Sequence, residues 1–357
     1  MNSARAGILA RRLLAALAAA AMAAPAAEQP KPAAAQPKPA AAQPKPAAEN
    51  PAPPLPPQPP AAAEPDLAYG AFQRGLYLTA FREATRRVEQ GGDPKAMTLL
   101  GELYADGLGV PNDDKKAAEW YKLAAARGDR AAMFALAMFR MAGRAGPRDR
   151  DEAARLLAAA AKLGHVVAAY NLALLYMEGQ HVRQDFARAA ELLRTAADAG
   201  NPQAQYALAT LYKEGQGVKK DLHEAARLLG AAALAGYTDA ETEYGIALFN
   251  GTGVAKNEAG AGKYFIRAAK KGSPVAQRRL ALMYATGRGI QADPVEAARW
   301  HLIARAGGDN DQFLEEFMRK MQPADRKLAE DKAKPWIARM KPIGPTPFPE
   351  PAAAAKP

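Results

Sequence analysis

Few side chains in this sequence are of the types that perform catalysis. The chain has no cysteine, which excludes disulfide scaffolds, cysteine zinc sites and thiol catalysis. Its two serines, Ser3 and Ser273, lie in neither a Ser-x-x-Lys nor a Gly-x-Ser-x-Gly pattern. The common signatures of a serine nucleophile are therefore absent as well.

The four histidines do not have the spacing of a metal site. They fall at different positions of the chain's repeating pattern, with no His-Glu-x-x-His motif and no pair four residues apart. We expect His165 in the first turn of a helix and His181 in a loop, while His223 and His301 carry no recognisable motif. The Gly-x-Gly triplets do not continue as a phosphate-binding loop. The sequence therefore predicts no catalytic residue, no metal site and no cofactor.

The residues that do recur are small ones, at a period of 36. Alanine returns at this interval in three separate series, and glycine in two. Internal repetition with a period of 20 to 50 residues is typical of solenoids. The first glycine series is Gly92, Gly128, Gly164, Gly200, Gly236, Gly272 and Gly308, and the second is Gly107, Gly143, Gly179, Gly215, Gly251 and Gly287.

Each unit of this pattern predicts a helix, a glycine turn and a second helix. Both glycine series stand where a helix ends and a positive φ is needed. Asp93, Asn201 and Ser273 precede prolines, as N-cap residues do. We expect the second helices to begin at Asp113, Asp149, Asp185, Asp221, Asn257 and Asp293, with capping boxes completed by Glu152, Glu224 and Glu296.

The unit A-x3-LG-x-LY-x2-G-x-GV-x2-D-x3-A-x2-WY-x2-AA-x2-G resembles the Sel-1-like repeat, a relative of the tetratricopeptide repeat, and the chain is similar to its exported proteobacterial type. The resemblance implies an all-α solenoid of six 36-residue repeats over residues 93–308. Residues 66–92 are expected to form an N-terminal capping hairpin, and residues 309–341 C-terminal capping helices. In the second repeat, Arg140 replaces the tyrosine and Ala145-Gly146 replace Gly-Val.

An aromatic and methionine-rich strip is the candidate binding surface. In stacks of the tetratricopeptide type the first helices line a concave face, and the resemblance places seven side chains on it. Such a strip suits a peptide or an amphipathic helix. The alternative is ordinary packing between neighbouring helices. The seven residues are Phe134, Met138, Met141, Tyr170, Leu174, Met177 and Tyr206.

The N-terminus has the layout of a secretory signal peptide over residues 1–27. Arg5, Arg11 and Arg12 precede an apolar run from Leu13 to Ala24 and a region of small residues. This run is shorter than the roughly 20 residues that span a bilayer. We therefore expect a periplasmic or secreted protein; an uncleaved anchor that holds the chain at the inner membrane, facing the periplasm, is the alternative.

Low-complexity segments flank the repeats. Residues 28–65 contain the repeated unit QPKPAAA and are rich in proline, which favours polyproline II without a packed core. They are either a stiff spacer or a disordered leader, and residues 342–357 are expected to form a disordered tail. The net charge is +11, but alternating signs along the repeats predict a solvated surface and no nucleic-acid partner.

These features together predict a non-catalytic scaffold or adaptor that binds one or more proteins in the periplasm and regulates an envelope or signalling process. A cell-wall protein that associates with peptidoglycan is the first alternative. A β-lactamase-like hydrolase is the second, although the secreted relatives that it resembles are rich in cysteine and this chain has none. Shared fold alone does not decide between these functions.

Overall fold

The computed structural model of the protein describes residues 66–340. The predicted signal peptide (1–27), the proline-rich segment (28–65) and the tail (342–357) lie outside these residues. In the described part of the chain, no helix has both the length and the apolar character needed to cross a membrane.

The described residues form sixteen α-helices and no strand, as expected for an all-α solenoid. Helices of the repeats are uniformly 13 residues long, because the same caps recur at the same spacing. The helices are α1 (Leu67–Gln73), α2 (Tyr77–Gly91), α3 (Pro94–Asp106), α4 (Asp114–Ala126), α5 (Arg130–Ala142), α6 (Arg150–Lys162), α7 (Val166–Glu178), α8 (Phe186–Asp198), α9 (Pro202–Glu214), α10 (Leu222–Leu234), α11 (Thr238–Asn250), α12 (Glu258–Lys270), α13 (Pro274–Thr286), α14 (Pro294–Ala306), α15 (Gln312–Lys320) and α16 (Pro323–Ile337).

The helices belong to two compact units, Met1–Arg148 and Asp149–Pro357. In the first unit, α1 to α5 pack in chain order, and the hairpin of α1 and α2 covers the buried leucines of α3. In the second unit, α6 to α14 also pack in chain order, and both α15 and α16 pack against α14. Short-range packing of this kind is the defining property of repeat proteins.

Glycine ends every first helix of the repeats in the left-handed conformation. Gly107 has φ 67° and Gly251 has φ 74°, and the backbone N–H of each bonds to the carbonyl four residues back. Glycine adopts this conformation without the steric cost that a Cβ brings. In the second repeat, Ala145 has φ 59° and is the one described residue other than glycine with a positive φ.

The second glycine of each Gly-x-Gly loop also contacts the preceding repeat. A Cβ on Gly253 would overlap the carbonyl oxygen of Leu222, and one on Gly217 would overlap that of Phe186. In the first unit, a Cβ on Gly109 would lie 2.9 Å from the carbonyl carbon of Tyr77. The loop of one repeat thus lies directly on the first turn of the preceding second helix.

The caps of the second helices differ in one respect from the prediction. All six predicted residues are N-caps whose side chains accept bonds from the first turn, as Asp221 does from the N–H of Glu224 at 3.0 Å. The reciprocal bond of a capping box is not made at Asp221 or Asp293, because their N–H groups donate to the carbonyls of Tyr212 and Tyr284 instead. The chain entering the helix is held by the preceding helix, and the glutamate remains available to other partners.

Residue size is matched between the two helices of a repeat. A Cβ on Gly101 would lie 2.5 Å from the ring of Tyr121, and one on Gly245 would lie 2.7 Å from the ring of Phe265. These two pairs occupy equivalent positions, four repeats apart. In two other repeats a leucine, Leu193 or Leu229, stands in place of the aromatic residue. Alanine then stands in place of the glycine, at Ala173 and Ala209. Glycine in place of alanine therefore provides the space for the aromatic ring of Tyr121 or Phe265.

This matching predicts the effect of enlarging one member of a pair. We expect Gly245→Ala to lower the free energy of unfolding by about 1–3 kcal/mol, because the added methyl group overpacks the contact with Phe265. The double variant Gly245→Ala/Phe265→Leu recreates the alanine–leucine pair of the neighbouring repeats and should recover part of this loss. Urea unfolding of the two single variants and the double variant measures the coupling.

Gly230→Ala provides a matched control in the same unit, since its Cβ would lie 3.2 Å from the ring of Tyr244 rather than against Phe265. Phe265→Leu should not rescue this variant. If the effects of Gly245→Ala and Phe265→Leu simply add, the proposed size matching is contradicted.

Candidate interaction surface

The seven residues of the predicted strip lie on both units. In the first unit, Phe134, Met138 and Met141 are half-buried on α5, at spacings that place them on one face of that helix. Their side chains combine apolar area with partial access to solvent. Their assignment to a partner-binding surface stays a prediction.

In the second unit, three of the remaining residues are buried. Tyr170 is 7% exposed, Leu174 is fully buried and Met177 is 1% exposed. They belong to the core and do not line an accessible groove, which corrects their assignment to the strip. The cause is local: α7 buries nine of its 13 residues, because its sequence VVAAYNLALLYME has no continuous polar face.

Tyr206 remains half-buried at the surface of α9. Its ring makes an edge-to-face contact with Tyr237, with the centroids 5.4 Å apart. Burial raises the pKa of Tyr237 to about 12, so its hydroxyl stays protonated at neutral pH. Tyr237 is also the N-cap residue of α11, although its side chain makes no capping bond.

The Tyr206–Tyr237 contact is one of a series between consecutive first helices. A residue in the second turn of one first helix contacts the residue 31 positions further on, which is the N-cap of the next first helix at Asp129, Tyr237 and Ser273. Thr242 and Ser273 hydroxyls are 3.1 Å apart, and the Arg278 guanidinium donates to Asp309 at 2.8 Å. In the first unit, the Thr98 hydroxyl donates to Asp129 at 3.0 Å. These bonds join the first helices of each unit into a continuous face.

Three apolar residues of this face were missed by the sequence analysis. Ile246, Phe249 and Leu282 are half-buried on α11 and α13 and pack against the core of the second unit. They lie at the positions of Met138 and Met141, displaced by whole multiples of 36 residues. The periodicity therefore contained the signal, but the predicted strip ended at Tyr206. We define the first-helix face of the second unit as Tyr206, Ile246, Phe249 and Leu282.

One carboxylate of this region has a structural role. Glu241 on α11 is fully buried, and its Oε1 accepts bonds from Arg267 at 2.7 Å and from Lys271 at 2.9 Å. Both cations also bond to carbonyls at the end of α10. A buried charge is tolerated when it is paired and hydrogen-bonded in this way. Glu241 therefore connects two repeats and is not exposed to a ligand.

A second carboxylate, Glu102 on α3, has a shifted pKa, and within residues 66–340 it forms no ion pair of this kind. Burial, followed by the nearby carboxylates of Asp106 and Asp129, raises the pKa of Glu102 from 4.5 to about 7. Glu102 occupies the position in the first repeat that Met138 occupies in the second. The charge of this surface therefore changes near neutral pH.

Three of the four histidines have structural partners. His165 is the N-cap of α7, with Nδ1 accepting from the N–H of Ala168 at 3.1 Å, rather than a first-turn residue. His301 is fully buried, and its Nε2 lies 3.1 Å from Glu315. His181 lies in the loop as expected, with Nδ1 3.9 Å from Asp151. In residues 66–340 no group of three or more His, Asp and Glu side chains is arranged to hold a metal ion.

Comparison with protein families gives one family along all six repeats. Six consecutive segments match the model described as Sel1 repeat, at residues 94–129, 130–165, 166–201, 202–237, 238–273 and 274–309. A search of the curated proteins finds no match.

Two crystal structures share the fold. A Sel1 repeat protein from Oxalobacter formigenes is 25% identical with a TM-score of 0.57, over 69% of this chain and 98% of that one. A protective antigen of uropathogenic Escherichia coli strains, described as displaying an SLR fold, is 26% identical with a TM-score of 0.53, over 73% of this chain. The present chain spans 64% of the length of that antigen.

The raised pKa of Glu102 predicts how stability depends on pH. Between the ordinary pKa of 4.5 and about 7, the folded state binds more protons than the unfolded state, so stability falls as pH rises through this window. The slope is at most about 1.4 kcal/mol per pH unit. We expect Glu102→Gln to lose this component and to be more stable than the wild type at pH 8.

Denaturant unfolding at several pH values, with the wild type, Glu102→Gln and Glu119→Gln compared, measures the effect. Glu119 is exposed on α4 and serves as the charge-matched control. A difference in unfolding free energy between wild type and Glu102→Gln that stays constant from pH 4.5 to 8 would contradict this prediction.

Proposed function

Since the chain belongs to the Sel1 repeat family, we propose that it is a periplasmic adaptor that binds a protein partner and regulates an envelope or signalling process. Sel1 repeat proteins generally mediate protein–protein interactions, and the family is typically a non-catalytic scaffold. The partner, the compartment and the process are the proposed part.

The observation that carries this proposal is the division of each repeat into fixed and variable positions. The recurring alanines are buried, as Ala117, Ala225 and Ala261 illustrate with exposures of 0 to 3%. The positions of the first-helix face instead change from repeat to repeat, since the position of Ile246 holds leucine at Leu282 and methionine at Met138. A surface that varies on a fixed frame can be specific for one partner without affecting the stacking.

The chemistry of this face also fits a protein ligand. Tyr206, Ile246 and Leu282 are apolar but not fully buried, so they can still lose exposed area when a partner binds. Phe249 is covered on one side by the Arg288 guanidinium, whose carbon lies 4.4 Å from the ring centroid. Aromatic and arginine side chains of this kind are enriched where protein interfaces concentrate their binding energy.

The proposed location rests on the N-terminal sequence. Arginines followed by a short apolar run and small residues are the features of an export signal over residues 1–27. The proline-rich residues 28–65 would then separate the repeats from the site of export. Export would place the first-helix face among envelope proteins, which is why the proposed partner is one of them.

In-cell photo-crosslinking tests this proposal directly. A photoreactive residue at Ile246 should form an adduct with a discrete protein partner, recovered from the periplasmic fraction and identified by mass spectrometry. The same residue at Lys263, exposed on α12 of the same repeat, provides the matched control and should form little of that adduct. Equal adducts at both positions, or adducts only with cytoplasmic proteins, would contradict the proposal.

A further inference from the structure

Five exposed cations gather at one edge of the second unit. We call this the loop edge and define it as Arg183, Arg188, Arg194, Lys219 and Lys220. The first two line a cavity of about 870 Å³, and the other three line a cavity of about 710 Å³. Positive charge is therefore concentrated here, whereas the sequence analysis expected it to be spread over the repeats.

The two cavities are equivalent features of consecutive repeats. Tyr176 and Asp185 line the first, and Tyr212 and Asp221, each 36 residues further on, line the second. Both cavities lie where the loop of a repeat turns into its second helix. A single extended ligand can therefore meet the same chemistry twice.

Both cavities present an arginine beside a tyrosine hydroxyl. Arg194 donates to the hydroxyl of Tyr212 at 3.0 Å, and Arg188 donates to that of Tyr176 at 3.4 Å. The two arginines come from different positions of one helix, since both lie on α8. Arg188 bonds to Tyr176 of its own repeat, whereas Arg194 bonds to Tyr212 of the next repeat. Repetition of the sequence alone does not explain this shared arrangement.

Most of these cations have no acidic partner. Among residues 66–340, no carboxylate forms an ion pair with Arg183, Lys219 or Lys220. By contrast, the exposed Lys256 and Arg288 of later loops both pair with Glu258. The loop edge thus keeps a local excess of positive charge that attracts an acidic ligand.

The cavity walls favour a peptide over a uniform polyanion. Val182, Phe186, Val218 and Leu222 are half-buried beside the cations and offer apolar contacts. Asp185 and Asp221 place a carboxylate in each cavity, which would repel a ligand charged at every unit. A peptide can alternate acidic and apolar side chains and supply N–H donors to these aspartates.

We propose that the loop edge binds an extended acidic segment of a protein, whose carboxylates lie at the two arginine–tyrosine pairs and whose apolar side chains pack on the adjoining valines. This inference extends the proposed function and depends on it only in that the partner is a protein. The loop edge and the first-helix face are different surfaces, so each can be tested separately.

Fluorescence anisotropy with the full chain tests the proposal. The probe is a fluorescein-labelled peptide of two copies of Asp-Val-Glu-Leu, and the matched peptide replaces Asp by Asn and Glu by Gln. We expect the acidic peptide to bind, with affinity falling between about 50 and about 150 mM salt. Substitution of Arg194, Lys219 and Lys220 by glutamine should weaken binding about tenfold, since each exposed pair contributes little alone.

The control variant substitutes Lys95, Lys115 and Lys122 by glutamine, which removes the same charge from exposed positions of the first unit. It should bind the acidic peptide like the wild type. Equal loss in both variants, equal binding of the uncharged peptide, or tighter binding of an oligonucleotide of the same charge would overturn the proposal. Crosslinking at Ile246 is unaffected by any of these results, so a failure here is distinguishable from a failure of the proposed function.

Discussion

The contact on which the stacking depends is a backbone contact at the second glycine of the loops that have the Gly-x-Gly pattern. In the second and third repeats Ala145 and His181 occupy this position. At Gly217 and Gly253 the space that a Cβ would need is occupied by a carbonyl group at the start of the preceding second helix. The same residues have φ near 70°, a conformation that other residues adopt only at a cost of about 1–2 kcal/mol. Both constraints require glycine at these positions and hold each of these loops directly against the preceding second helix.

The candidate binding surfaces consist of positions that do not take part in this backbone contact. The recurring alanines and glycines form the contacts between packed helices, so they have the same role in every repeat. The first-helix face and the loop edge differ between repeats, and both expose side chains that retain unused contacts or charge. A scaffold of this kind separates stability from recognition, because substitutions at one set of positions need not affect the other.

The periodic part of the structure could be predicted from the sequence because each of its causes is local. Glycine turns, N-caps and helix lengths follow from residue types at fixed spacing, and the structure confirms all six predicted N-caps of the second helices. Leu174 and Met177 were assigned to the surface because the resemblance to tetratricopeptide-type stacks places them on a concave face, but α7 lacks a polar face and is buried on most sides. The loop edge could not be predicted, because Arg188 and Arg194 reach equivalent tyrosines from positions that are not equivalent.

Removal of one whole repeat tests most directly the claim that equivalent contacts join equivalent units. Deletion of residues 237–272 joins Gly236 to Ser273, so Gly289 replaces Gly253 against Leu222, and Glu241 is removed together with Arg267 and Lys271. We predict a folded, cooperatively unfolding protein whose helical circular dichroism falls only in proportion to the residues removed. Deletion of residues 237–254, which removes one helix and its glycine turn, should unfold the neighbouring repeats. Loss of cooperative unfolding after the whole-repeat deletion would contradict this account.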